Sequence, residues 1–169
     1  MRTILRAGGL AVLLLLACWP VQAPAEAAYD DSAALKGVTE GKGVFLVDIG
    51  DPRKLGLYLN LIPGTYRNLA DQGAEPDFVL TFIGPSVKFL TKDSDSLRAL
   101  EHEAALKRVR QGIDKLRALD NVRLEVCNVA LEVTGTDADK LLPGLEIVRD
   151  GFVSMIGYQE QGYHLVPVY

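Results

Sequence analysis

The chain has 169 residues, 49% of them apolar and 24% charged, with a formal net charge of −4. That length suits one domain with a core of its own. The slightly acidic balance excludes a general electrostatic attraction to nucleic acid or to an anionic membrane surface, and no nucleic-acid partner is expected.

Residues 1–27 differ in kind from the rest. Arg2 and Arg6 precede an uncharged run from Ala7 to Gln22. Its apolar centre, from Leu10 to Ala17, has the length of a signal-peptide core and falls short of a membrane span. Val21-Gln-Ala23 and Ala25-Glu-Ala27 offer small-x-small cleavage sites, so export to the periplasm is expected. Leu15-Leu-Ala-Cys18 opens a second reading, a lipobox in which Cys18 is acylated and anchors the mature protein to a membrane. Either route removes Cys18 from the thiols of the folded domain and leaves Cys127 alone. A lone cysteine in an oxidising compartment is buried, paired with another molecule, or used chemically.

Residues 28–42 are polar, lack apolar periodicity and read as a linker, with the domain proper spanning 43–169. Gly43-Val-Phe-Leu-Val-Asp48 is a continuous apolar run that predicts a strand buried on both faces, followed by a turn at Gly50-Asp51-Pro52. From Lys54, the residues Leu55, Tyr58, Leu59, Ile62, Tyr66 and Leu69 recur at helical spacing. Pro63-Gly64 should kink or reset that helix, and Gly73 closes it. Asp77 to Ile83 reads as the second strand, ended by Gly84-Pro85, with a short helix from Ser86 to Leu90. Asp93-Ser-Asp-Ser96 is a helix-start cluster. The face made by Leu97, Leu100, Leu106, Val109, Ile113 and Leu116 then predicts a long helix ending near Leu119.

Val122, Leu124 and Val126 alternate as a third strand, and Asn128 to Val133 follows as a short helix stopped by Gly135. Cys127 falls where that strand ends and that helix begins. Asp137 to Pro143 is a turn or short helix, Leu145 to Val148 a fourth strand, and Phe152, Val153, Ile156 and Tyr158 a helix stopped at Gly162. Tyr163 to Val168 is the last strand, with Pro167 suited to a sheet edge. Repeated strand–helix alternation predicts an α/β fold, an open parallel sheet of about five strands with helices on both faces.

In such a sheet, ligands and reactive groups sit at the carboxyl ends of the strands, so Cys127 is the candidate catalytic residue. A helix start beside it favours a thiolate. Glu125 and Glu132 work against one, and strand alternation puts Glu125 on the same face as the thiol. Equally, a buried cysteine is a common structural residue. His102, in Glu101-His-Glu, reads as part of a solvated helix face, and His164 as a hydrogen-bonded strand residue. Lys107, Arg108, Arg110, Lys115 and Arg117 are interspersed with acids and lack aromatics, which suits solvent more than nucleic acid. Gly41-Lys-Gly43 precedes a strand and so is no phosphate loop. Asp48 and Asp51 suit a ligand at the sheet edge, or simply a turn. No metal or cofactor spacing is present, so none is expected.

The order of segments resembles the DsrE/DsrF-like proteins. The residues that carry this are Val44 to Asp48, Asp51-Pro-Arg-Lys-Leu with Asn60, Asp77 to Pro85, Asn121 to Leu131 around Cys127, and Asp150 to Tyr163. The resemblance implies a five-stranded flavodoxin-like sheet in small domains that assemble as trimers or hexamers. It also implies sulfur relay, with a persulfide carried on the cysteine corresponding to Cys127 and a sulfur donor or acceptor protein as partner. Relatives often carry a histidine just before the Gly-Pro, where this chain has Ile83. The characterised relays are cytoplasmic, whereas this chain reads as exported. Two functions follow: an exported protein that handles sulfur through Cys127, or a non-catalytic oligomeric binding or assembly module in which Cys127 is structural.

Overall fold

A computed structural model describes residues 29–92 and 102–169. The segment read as an export signal, with Cys18 and the expected cleavage sites, and the helix-start cluster Asp93–Ser96 with Leu97 and Leu100, lie outside the described residues. Asp31–Tyr169 is one compact unit. It carries β1 (Glu40–Val47), α1 (Pro52–Asp71), β2 (Glu75–Phe82), a 3-10 turn (Gly84–Phe89), α2 (Glu103–Arg117), β3 (Val122–Cys127), α3 (Asn128–Thr134), β4 (Glu146–Val148), α4 (Gly151–Glu160) and β5 (His164–Val168).

Local chemistry accounts for most boundaries. Asp51 caps α1 by accepting the Arg53 N–H at 2.8 Å, and Pro52 follows at the first helical position, where its missing N–H costs nothing. Gly135 ends α3 in the left-handed conformation, φ +64°. Asp150 caps α4 through the Phe152 N–H. Two sequence expectations change. The stretch read as linker already contains the start of β1 at Glu40, and the Asp31 N–H donates to the Gln72 side chain at 2.7 Å, tying the lead-in to α1. And α1 runs through Pro63 without ending. Ile62 and Pro63 are both buried, and Leu55 and Leu59 are sealed in the same core. Burying such side chains gains about 1.5–3 kcal/mol each, enough to hold together a helix that loses one hydrogen bond at a proline.

All five strands are parallel, in the order β4-β3-β2-β1-β5, the α/β architecture with helices on both faces that the sequence predicts. From β1 to β4 the chain steps across the sheet in one direction, and right-handed crossovers then put every connection on one side. There α1, α2 and α3 pack on Phe45, Val47, Phe78, Leu80, Phe82, Leu124 and Val126. The last connection travels back past β1 to β5, so α4 lies on the opposite face, over Val44 and Val79. On the first side α1 and α2 cross closely. A Cβ on Gly112 would lie 2.5 Å from Leu59 Cβ, so only glycine fits there. Pro167 sits on an edge strand, as expected. The sparsely covered α4 face is the one that presents Arg123, Glu125 and Cys127, alternate residues of β3.

Candidate functional site

Cys127 occupies the last position of β3 and the cap position of α3, at the carboxyl end of the sheet. It is 5% exposed. Its Sγ accepts the backbone N–H of Gly151, the first residue of α4, at 3.2 Å. That N–H has no partner within its own helix, so the thiol answers one of the open donors of the first turn. The approach depends on glycine. A Cβ on Gly151 would lie 2.7 Å from Ile83 Cγ2, 3.1 Å from Cys127 Cβ and 3.2 Å from Thr81 Cγ2. Ile83 thus supplies a wall beside Gly151 and no acid or base.

One step down the same face lies Glu125, 4% exposed. Its Oε1 accepts the Tyr158 hydroxyl at 2.7 Å, and its Oε2 accepts the Ser154 hydroxyl. Thr81, aligned with Glu125 across the β2–β3 ladder, is fully buried, and its hydroxyl has no hydrogen-bond partner among the described residues. A further step down, the Arg123 guanidinium donates to Asp77 at 3.2 Å and to the Tyr163 hydroxyl at 2.6 Å, and lies 5.5 Å from the centre of the Tyr158 ring. Tyr163 in turn donates to Asp77 at 2.7 Å. Burial, followed by the hydrogen bond to the Glu125 carboxylate, pushes the Tyr158 hydroxyl up to about 12. Burial and Asp77 raise Tyr163 in the same direction. A cavity of about 360 Å³ opens beside this column, with Glu125, Ser154, Tyr158, Val148, Val153 and Asp150 in its walls.

The sequence placed Cys127 and Glu125 on one face, and the structure agrees. It did not find Gly151, Ser154 or Tyr158, which come from 24 to 33 residues away. Asp150 before an apolar run was the one available signal, since it marks where α4 starts. Glu132 is held by the Asn128 amide at 2.7 Å along α3. Asp51 serves as a helix cap, and Arg53 holds its carboxyl below the ordinary value through a side-chain hydrogen bond. Asn60 bridges helices, donating to the carbonyls of Gly56 and Arg108 and accepting from Lys115 at 2.8 Å. His102 sits at the cap position that opens α2 and is half-buried. His164 lies in β5, on a separate, mostly apolar groove of about 710 Å³ between α1 and that edge strand. Lys107, Arg108, Lys115 and Arg117 face solvent. Among the described residues, no three His, Cys, Asp or Glu side chains cluster as metal ligands, and no helix is long and apolar enough to cross a membrane.

A protein of Aquifex aeolicus (strain VF5), described as uncharacterized, is 25% identical over 126 residues, 75% of this chain and 55% of the relative. The chain therefore spans about half the length of the curated relative it matches. Among solved structures, the protein of unknown function MTH1491 from Methanobacterium thermoautotrophicum is similar at 21% identity with a TM-score of 0.49, over 73% of this chain and 96% of that one. The model of the DsrE/DsrF-like family matches residues 42–168, from within β1 to the end of β5, and the chain belongs to that family.

Proposed function

We propose that this protein handles sulfane sulfur through Cys127, accepting a sulfur atom as a persulfide and passing it to a partner thiol. The observation that carries this reading is the Gly151 N–H aimed at Sγ from the first turn of α4. Helix-terminal N–H groups suit negative charge, and sulfur carries such charge both when it attacks and when it leaves. In the forward step the Cys127 thiolate attacks the outer sulfur of a donor persulfide. A new S–S bond forms on Cys127, the donor's S–S bond breaks, and the donor departs as a thiolate. An acceptor thiolate then attacks the sulfur held on Cys127 and takes it. No oxidant or reductant is consumed, and turnover in the enzymatic sense is not required. Because Sγ is nearly closed off, transfer needs the first turn of α4 to lift. The setting we propose is the periplasm, either as a freely exported protein or as one anchored through Cys18.

The 5% exposure of Cys127 favours a second reading, a non-catalytic assembly module in which the thiol only packs. Phe152, Val153 and Ile156 on the outer side of α4 are each at least 60% exposed, a surface suited to a second copy of the chain in a trimer or hexamer.

One experiment separates the two. The native protein is incubated with a low-molecular-weight persulfide, and cyanide-labile sulfur is measured beside the intact mass. A gain of one sulfur atom that disappears in Cys127→Ser, with alkylation of the native thiol at neutral pH, is the expected result. A thiol that reacts only after denaturation refutes the sulfur-handling reading and leaves the assembly module. The same mass measurement on protein from an exporting host defines the mature N-terminus and decides whether Cys18 is cut away or acylated.

A further inference from the structure

We propose that the cavity between α4 and β4 binds a cationic group, an ammonium or a guanidinium, on the Glu125 carboxylate. Glu125 is a buried acidic side chain with no basic partner among the described residues. Glu125 is 4% exposed, and its two oxygens are held by the hydroxyls of Ser154 and Tyr158. Those donors fix the direction of the carboxylate but bring no positive charge. Among the described residues, no Lys, Arg or His nitrogen lies within ion-pair distance of it. Arg123, on the same strand and face, is committed to Asp77 and Tyr163. Buried carboxylates are costly unless matched by a cation, and this one sits at the wall of an open cavity.

The cavity has the right form for such a guest. Its volume of about 360 Å³ accommodates a group the size of a long side chain or a small amine. The Tyr158 ring, Val148 and Val153 make the walls around the carboxylate partly apolar, which strengthens its field and favours a guest with a short aliphatic stem. Asp150 adds a second acid to the wall; Arg149 also borders the cavity, but it is exposed and makes no ion pair with Glu125. An anion would face a buried carboxylate and is disfavoured. The cationic group can come from a free small amine or from a Lys or Arg side chain of a second copy of this chain. The chemistry at Glu125 is the same for both, and it does not rest on any reactivity of Cys127.

The test uses n-butylammonium as the probe and n-butanol as its uncharged counterpart, at fixed ionic strength, followed by the amide NMR signals of the native protein. Saturable shifts at Ser154, Gly157 and Gln161 with the ammonium, absent with the alcohol, are expected. Glu125→Gln should weaken binding about tenfold or more, as loss of a charged hydrogen bond does. Val153→Trp fills the cavity mouth from an exposed position, leaves Glu125 in place, and should abolish the shifts; it decides the matter should Glu125→Gln fail to fold. Sedimentation velocity without amine forms the second arm. A smaller particle for Glu125→Gln than for wild type, with no butylammonium binding by wild type, assigns the cation to a second copy. Equal responses to ammonium and alcohol, binding indifferent to both substitutions, or neither binding nor Glu125-dependent assembly overturns the proposal.

Discussion

Replacing Gly151 with alanine tests the contact on which the Cys127 site is built. The added Cβ would stand 2.7 Å from Ile83 Cγ2 and 3.1 Å from Cys127 Cβ. Unbonded carbons settle at about 3.5–4.0 Å, so the first turn of α4 must retreat by roughly 0.8 Å or Ile83 must leave its place in the core. A retreat of that size stretches the 3.2 Å Gly151 N–H to Sγ contact to about 4 Å, the limit of a hydrogen bond to sulfur. Overpacking of this kind costs about 1–3 kcal/mol, and alanine recovers about 0.4–1 kcal/mol through lower entropy of the unfolded chain. The net loss is about 1–2 kcal/mol, or a fall in Tm of roughly 3–8 °C for a domain of this size. The same loosening should expose the thiol. If alkylation proceeds through opening of α4, its rate rises about 5–30-fold, the factor that 1–2 kcal/mol represents. Thermal melts together with pseudo-first-order alkylation by iodoacetamide measure both. A variant as stable as wild type, with an unchanged alkylation rate, would refute the claim that α4 closes over Cys127.

Two further outcomes follow from the same face of the sheet. Thr81→Val should stabilise the protein by about 1 kcal/mol in urea unfolding, because it replaces a buried, unpartnered hydroxyl with a methyl of the same shape; a loss of stability instead would show that the hydroxyl is satisfied in the folded protein. Tyr158, pushed up to about 12 against an ordinary value of 10, stays protonated in the folded state while the unfolded chain ionises. Its contribution is therefore complete below pH 10 and is lost as pH rises toward 12. Ultraviolet titration should show a late-ionising tyrosine that Tyr158→Phe removes, and a wild-type curve complete by pH 11 would contradict the burial and Glu125 contact assigned to this hydroxyl.

Much of this protein is written in short-range patterns. Alternation in Val122-Arg-Leu-Glu-Val, helical spacing in Leu106, Val109, Ile113 and Leu116, and stop signals such as Gly135 act over a few residues, so strands and helices are legible from the chain alone. The same patterns place Cys127 at a strand–helix junction and Glu125 on its face. Pro63 shows where local rules yield: its helix-breaking tendency is real, yet burial of Leu55, Leu59 and Ile62 around it outweighs one missing hydrogen bond. What the sequence could not settle is which distant residues close the site. Gly151, Ser154 and Tyr158 reach β3 only because the last crossover runs opposite to the other three and carries α4 to the other side of the sheet. That placement comes from the handedness of the connections and the order of the strands, properties of the whole fold that no window of neighbouring residues contains.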